Sequence, residues 1–137
     1  MTTAPDRVTA TQVAVDLLTK LTELHGGLMI HQSGGCCDGS APMCYPVGEY
    51  RIGQRDVLLG AVPLPDPLPA VRVWINGDQF ELWKHTQLIL DVVNGRGAGF
   101  SLEAPEGVRF LSRSRTFDDA ELALLEENPP QVGADFE

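Results

Sequence analysis

The sequence predicts an α+β domain that is mainly β: an N-terminal helix packed on short, mostly antiparallel strands, followed by a short acidic C-terminal helix. Three observations predict it. Apolar residues recur at three- and four-residue spacing between residues 10 and 25. Short strand-like runs separated by Gly, Pro and Asn-Gly then continue to residue 114. From Asp118 onward the chain carries seven acids and no base. At 137 residues it reads as one domain, residues 1–137, with a core over 10–117 and an acidic helix and tail over 118–137. A chain of this length buries roughly two-thirds of the surface its unfolded form exposes, so it needs no disulfide to fold.

Thr9 and Gln12 fit a capping box, and Val13, Leu17, Leu21 and Leu24, with Leu18 alongside, form one helical stripe. Gly26 and Gly27 stop that helix. "LMIHQS" (28–33) reads as a strand, and so does "DVLLGAV" (56–62). "PLPDPLP" (63–69) is too proline-rich for helix or ladder and reads as a stiff connection. "VRVWI" (71–75) and "QFELW" (79–83) flank Asn76-Gly77-Asp78, which predicts a hairpin, since Asn and Gly tolerate positive φ. "LILDVV" (88–93), "GFSLEA" (99–104) and "GVRFLSRS" (107–114) supply three more strands. In a regular last strand, Val108 and Phe110 face one way, and Arg109, Leu111, Arg113 and Arg115 the other. "DDAELALLEE" predicts a short helix with acids in its first turn, ended by Pro129-Pro130 and followed by a mobile tail.

The formal net charge is −9. Such a chain repels phosphate backbones and anionic membrane surfaces, which argues against nucleic-acid and membrane partners. No apolar run approaches the roughly 20 residues of a membrane span. "MTTAPDRVTA" has neither the basic start nor the apolar core of a signal peptide, so a cytoplasmic location is expected. Thiols stay reduced there, and clustered cysteines read as metal-binding or reactive before they read as a disulfide.

All three cysteines lie in "GGCCDGSAPMC" (34–44). Adjacent Cys36 and Cys37 cannot easily bridge each other, because the ring closed between neighbours is strained. Together with Cys44 they are suited to converge on a soft metal ion, since zinc, copper(I) and iron–sulfur clusters all take thiolate. Gly34, Gly35 and Gly39 would let the backbone approach and turn. Three thiolates are one short of a closed zinc site, and His31 or Asp38 would complete it. The candidate metal set is therefore Cys36, Cys37, Cys44 and His31, with zinc foremost and iron or an iron–sulfur cluster also open. Two other readings stand beside it. Cys36 or Cys37 is a redox-active or nucleophilic thiol with Arg113 stabilising the thiolate. Alternatively the thiols are structural and the acidic tail contacts a basic partner.

Other residues carry weaker signals. His25 suits the helix C-terminus on electrostatic grounds alone, and His85 sits in a turn. Trp74 and Trp83 are adequately explained by packing. "NGRGAGF" (94–100) lacks the strand and helix that give a dinucleotide fingerprint its meaning. No Ser-His-Asp arrangement or carboxylate pair stands out.

The order of these pieces resembles the A-type iron–sulfur carriers of the HesB fold. "GGCCDG" (34–39) looks like their first cysteine loop, and "LILDVVNGRGAGFSLEAPEG" (88–107) looks like their middle, with Asp91, Gly99, Phe100 and Pro105 at matching places. The likeness implies a HesB-like fold over most of residues 10–117. Only Cys36 keeps a carrier cysteine position, and the carriers' final two cysteines fall on Leu111 and Arg113, which ligate no iron. More closely, the chain resembles a bacterial family classed as domain of unknown function 779, whose hallmark is the His-x-x-Gly-Gly-Cys-Cys-Asp-Gly-Ser loop with Met-Cys after it. Members of that family tend to be encoded beside aldehyde dehydrogenases. The resemblance implies an accessory role to an aldehyde-oxidising enzyme, with that dehydrogenase or another protein as partner.

Overall fold

A computed structural model describes residues 4–32, 42–95 and 101–136. The order of its main elements is β1 (Val8–Ala10), α1 (Gln12–His25), β2 (Leu28–Gln32), β3 (Met43–Pro46), β4 (Val57–Val62), β5 (Val71–Ile75), α2 (Gly77–Trp83), β6 (Thr86–Asn94), β7 (Val108–Thr116) and α3 (Asp119–Glu127). Short 3-10 turns occupy Ala104–Glu106 and Gly133–Phe136. The result is an α+β arrangement of two mixed sheets. One has the order β1-β6-β7, the other β3-β2-β5-β4. Among the described residues, three of the five strand pairings are antiparallel, as expected, while β1 runs parallel to β6 and β2 parallel to β5.

α1 begins at Thr11, whose side chain accepts the Ala14 amide hydrogen at 3.3 Å. The expected cap at Thr9 is thereby corrected, and Thr9 pairs in β1 with Ile89 of β6. The helix buries Ala14, Leu18, Leu21 and Thr22, while Val13 and Leu24 are 56% and 63% exposed. The apolar stripe is thus rotated from the expected one, because β6 and β2, against which α1 packs, take the Leu18 face. Gly26 ends the helix at φ 86°, and its amide donates to the Thr22 carbonyl.

The core lies between the sheets and under α1. Val8, Leu88, Leu90 and Phe110 from the first sheet meet Leu28, Ile30, Cys44, Val71, Val73 and Ile75 from the second. The predicted hairpin at residues 76–78 is a helix start instead. Asn76 accepts the Asp78 amide hydrogen at 2.9 Å, and Asp78 lies in the first turn of α2. Asn serves both turns and N-caps, and the three-residue spacing of Phe80 and Trp83 lets α2 turn both toward the core. In the expected strand at 99–104, Gly99 and Phe100 lie outside the described residues, and 101–104 form a turn running into the Ala104–Glu106 turn. Pro105 near its start has no amide hydrogen to give a ladder.

α3 is as expected. Asp118 and Glu121 form a reciprocal capping box. The tail beyond Pro130 is docked, which corrects the expectation of a mobile end. Val132 bridges Val57, the Leu58 amide donates to the Gln131 carbonyl at 2.9 Å, and the Gly133 amide donates to the Asp56 carbonyl at 2.8 Å. Gly133 sits so close to Gly53 that a Cβ there would come within 1.9 Å of the Gly53 carbonyl oxygen. Among the described residues, no helix is long and apolar enough to cross a membrane.

Candidate functional site

The two central strands of the second sheet, β2 and β5, are parallel, and β3 and β4 flank them on opposite edges. The segment from Val47 to Asp56 must therefore pass from one edge to the other. It crosses the outer face of the sheet, away from the core, and there it brings Tyr50 and Asp56 onto β2.

His31 is the residue they cover. It alternates with Ile30 along β2, so its side chain leaves the sheet on the opposite face from the core. It is 1% exposed. Its Nε2 lies 3.2 Å from Oδ2 of Asp56. Its ring packs on Tyr50 with centroids 4.6 Å apart, and Tyr50 stacks in turn on Tyr45 at 4.8 Å. Asp56 is itself fixed, because its Oδ2 accepts the Gly53 amide hydrogen at 2.8 Å and its carbonyl accepts from Gly133. A carboxylate at this distance from a buried imidazole is a setting suited to a metal ligand or a proton-transfer group. Burial, and then the neighbouring Tyr50, push the Tyr45 hydroxyl above its ordinary value. It keeps its proton at neutral pH and lies 3.4 Å from Sδ of Met43.

Cys44 is placed otherwise. It opposes Ile30 across the β2–β3 ladder, whereas His31 opposes Met43. It is fully buried among the apolar core residues. Its amide donates to Oγ of Ser101 at 2.9 Å, and Ser101 donates to the buried carboxylate of Glu103. Burial first, and the negative charge of Glu103 second, push the Cys44 thiol well above its ordinary value. A thiol held protonated is neither a ready nucleophile nor a ready metal ligand. The structure therefore separates Cys44 from His31, against the expectation that the two share one ion. Cys36, Cys37 and Asp38 lie outside the described residues. Among the described residues, no group of three or more His, Cys, Asp or Glu is placed to hold a metal ion.

The arginine strand is engaged elsewhere. Arg113 Nε donates to Oδ2 of Asp91 at 2.6 Å, and both Arg115 terminal nitrogens reach the Glu121 carboxylate at 3.1 and 2.9 Å. Asp91 also accepts from the Thr11 hydroxyl, so it ties the start of α1 to β6 and β7. Leu111, one of the two positions where the carriers have their final cysteines, is buried. The residues that sequence reasoning missed are Asp56, Tyr50 and Tyr45. Each is a single residue with no spacing signal linking it to His31, and only the crossing of the sheet brings them together.

No curated protein and no solved structure matches the chain significantly. The family model described as Domain of unknown function (DUF779) matches residues 17–116, which run from α1 to the end of β7 and include His31, the cysteine segment and Asp56, and the chain belongs to that family.

Proposed function

We propose that the protein is a small cytoplasmic accessory protein that holds a soft metal ion, zinc foremost, through His31 and the Cys36–Cys37 pair, in the service of an aldehyde-oxidising partner enzyme. The observation that carries the reading is the Asp56 carboxylate, 3.2 Å from Nε2 of the buried His31. Metal-ligating histidines characteristically have their second ring nitrogen held by a carboxylate or carbonyl, which raises their basicity and fixes the ring. His31 stands next to the end of β2, where the chain leaves for Cys36 and Cys37. One imidazole and two thiolates suit zinc with a fourth position for water or a partner's group, and iron remains compatible with the same donors. Cys44 is left out on the geometry above. The HesB-like reading of the fold belongs to this proposal and is supported by the motif order from Gly34 to Pro105. The dehydrogenase as partner is supported by the family resemblance, and the acidic charge favours such a partner over nucleic acid or membrane.

The test is metal content after anaerobic purification without chelators. Near-stoichiometric metal is expected in the natural chain and in Cys44→Ala, with loss in His31→Ala and in the Cys36→Ser/Cys37→Ser double variant. Metal retained in the double variant would refute the proposal.

A further inference from the structure

The outer face of the second sheet holds more than the histidine. A cleft of about 440 Å³ opens beside it, within the roughly 300–1,000 Å³ of small-molecule sites. Met29 of β2 and Trp74 of β5 line it, with Ile52 and Tyr50 of the crossing segment and Phe136 of the docked tail. Trp74 and Phe136 meet edge to face with centroids 5.5 Å apart. Among the described residues that line the cleft, the one charged side chain is Arg72. Its guanidinium carbon sits 5.1 Å above the Phe136 ring. No described Asp or Glu stands within ion-pair distance of Arg72, although the chain carries a net charge of −9. Arg72 thus faces an apolar, aromatic cleft.

We propose that the cleft binds a small amphiphilic carboxylate, with an aliphatic or aromatic body held between Met29, Ile52, Trp74 and Phe136 and its acid group on Arg72. A planar guanidinium braced on a ring matches a carboxylate with two parallel N–H donors. The apolar walls supply the affinity and the single cation supplies the orientation. A phosphorylated or sulfated headgroup would present the same charge, but the mostly apolar wall favours a ligand whose polar part is small. The inference does not rest on the metal reading, since no lining residue is one of its ligands.

Isothermal titration of the full chain with octanoate and with 1-octanol tests it. Octanoate should bind saturably at one site, and 1-octanol, which has the same apolar body, at least tenfold more weakly. Arg72→Leu should lower octanoate affinity at least tenfold and leave 1-octanol unchanged. Arg72 is exposed, so the variant should keep its melting temperature. Should that variant fail to fold, Phe136→Ala on the natural Arg72 decides: it should weaken acid and alcohol together while preserving the preference for the acid. Absence of saturable octanoate binding, equal affinity for acid and alcohol, or an unchanged Arg72→Leu would overturn the proposal.

Discussion

Ile30 and Cys44 form one cross-strand pair on β2 and β3, and His31 and Met43 form the next. The two pairs are one residue apart, yet their surroundings share little. The first is sealed among Leu28, Val73 and Phe110. The second meets Tyr50, Tyr45 and the carboxylate of Asp56. The strand period of two separates them, because a shift of one residue moves a side chain through the sheet. Chemistry-bearing residues close together in a sequence can thus belong to different environments, and a histidine and a cysteine near one loop need not meet.

The thiols give the largest expected contrast. In metal-free folded protein at neutral pH, alkylation of Cys44 should be slowed at least about a thousandfold relative to a small free thiol, because it must wait for opening of the core. Mass spectrometry of timed, quenched samples would show it. Labelling of Cys44 at the rate of a free thiol would break the comparison by placing it outside the core.

Stability should follow the same division. Ile30→Ala removes a fully buried side chain and should cost about 2–5 kcal/mol in urea unfolding. Met43→Ala, one residue away on the other face and only partly buried, should cost less than half as much. Equal losses would mean that the outer face is as tightly packed as the core.

The outer face should respond in ligand affinity instead. Asp56→Asn should weaken zinc binding by about 10–100-fold in a chelator competition, the usual effect of losing the group that orients a histidine ligand. Cys44→Ala should leave the same constant within about twofold. Equal effects of the two changes would erase the distinction between the faces.

The smallest effect sharpens the contrast with an ion pair near the surface. The Asp91 carboxyl is held below its ordinary value, chiefly by the hydrogen bond from Arg113 and next by the Val92 amide. A carboxylate lowered on folding adds stability above its unfolded value, and the gain is lost as pH falls through the lower folded value. The natural chain should therefore lose this contribution below about pH 4, and Asp91→Asn should make the acid limb shallower. Arg113 is 47% exposed, so solvent screening limits the effect to about 1 kcal/mol or less. Chemical unfolding at a series of pH values would detect it, and parallel acid limbs would show that the pair contributes nothing.

Local signals in the chain carried much of the fold. The apolar recurrence from Val13 to Leu24 with Gly26 behind it marks α1, although the buried face is the Leu18–Leu21 side, and Asp118 with Glu121 caps the start of α3, because helix caps and stripes are formed by residues within one or two turns of each other. The runs at 28–32, 57–62, 71–75 and 108–116 become strands for the same reason. Asn76 was ambiguous, since one side chain suits a hairpin turn and a helix cap equally, and packing of Phe80 and Trp83 settled it. β1 and β3 carried no adequate local signal: each is three or four residues long and exists because a partner strand is present.

The site divides along the same line. His31 and the thiol pair could be singled out as residue types from sequence, because metal and thiol chemistry require few kinds of side chain. Which of them share a space could not. The strand order sets β3 and β4 on opposite edges and so forces residues 47–56 across the sheet, and that path brings Asp56 to His31 while the ladder turns Cys44 toward the core. Strand order and register are properties of distant segments fitting one another, and a linear pattern of residues records neither.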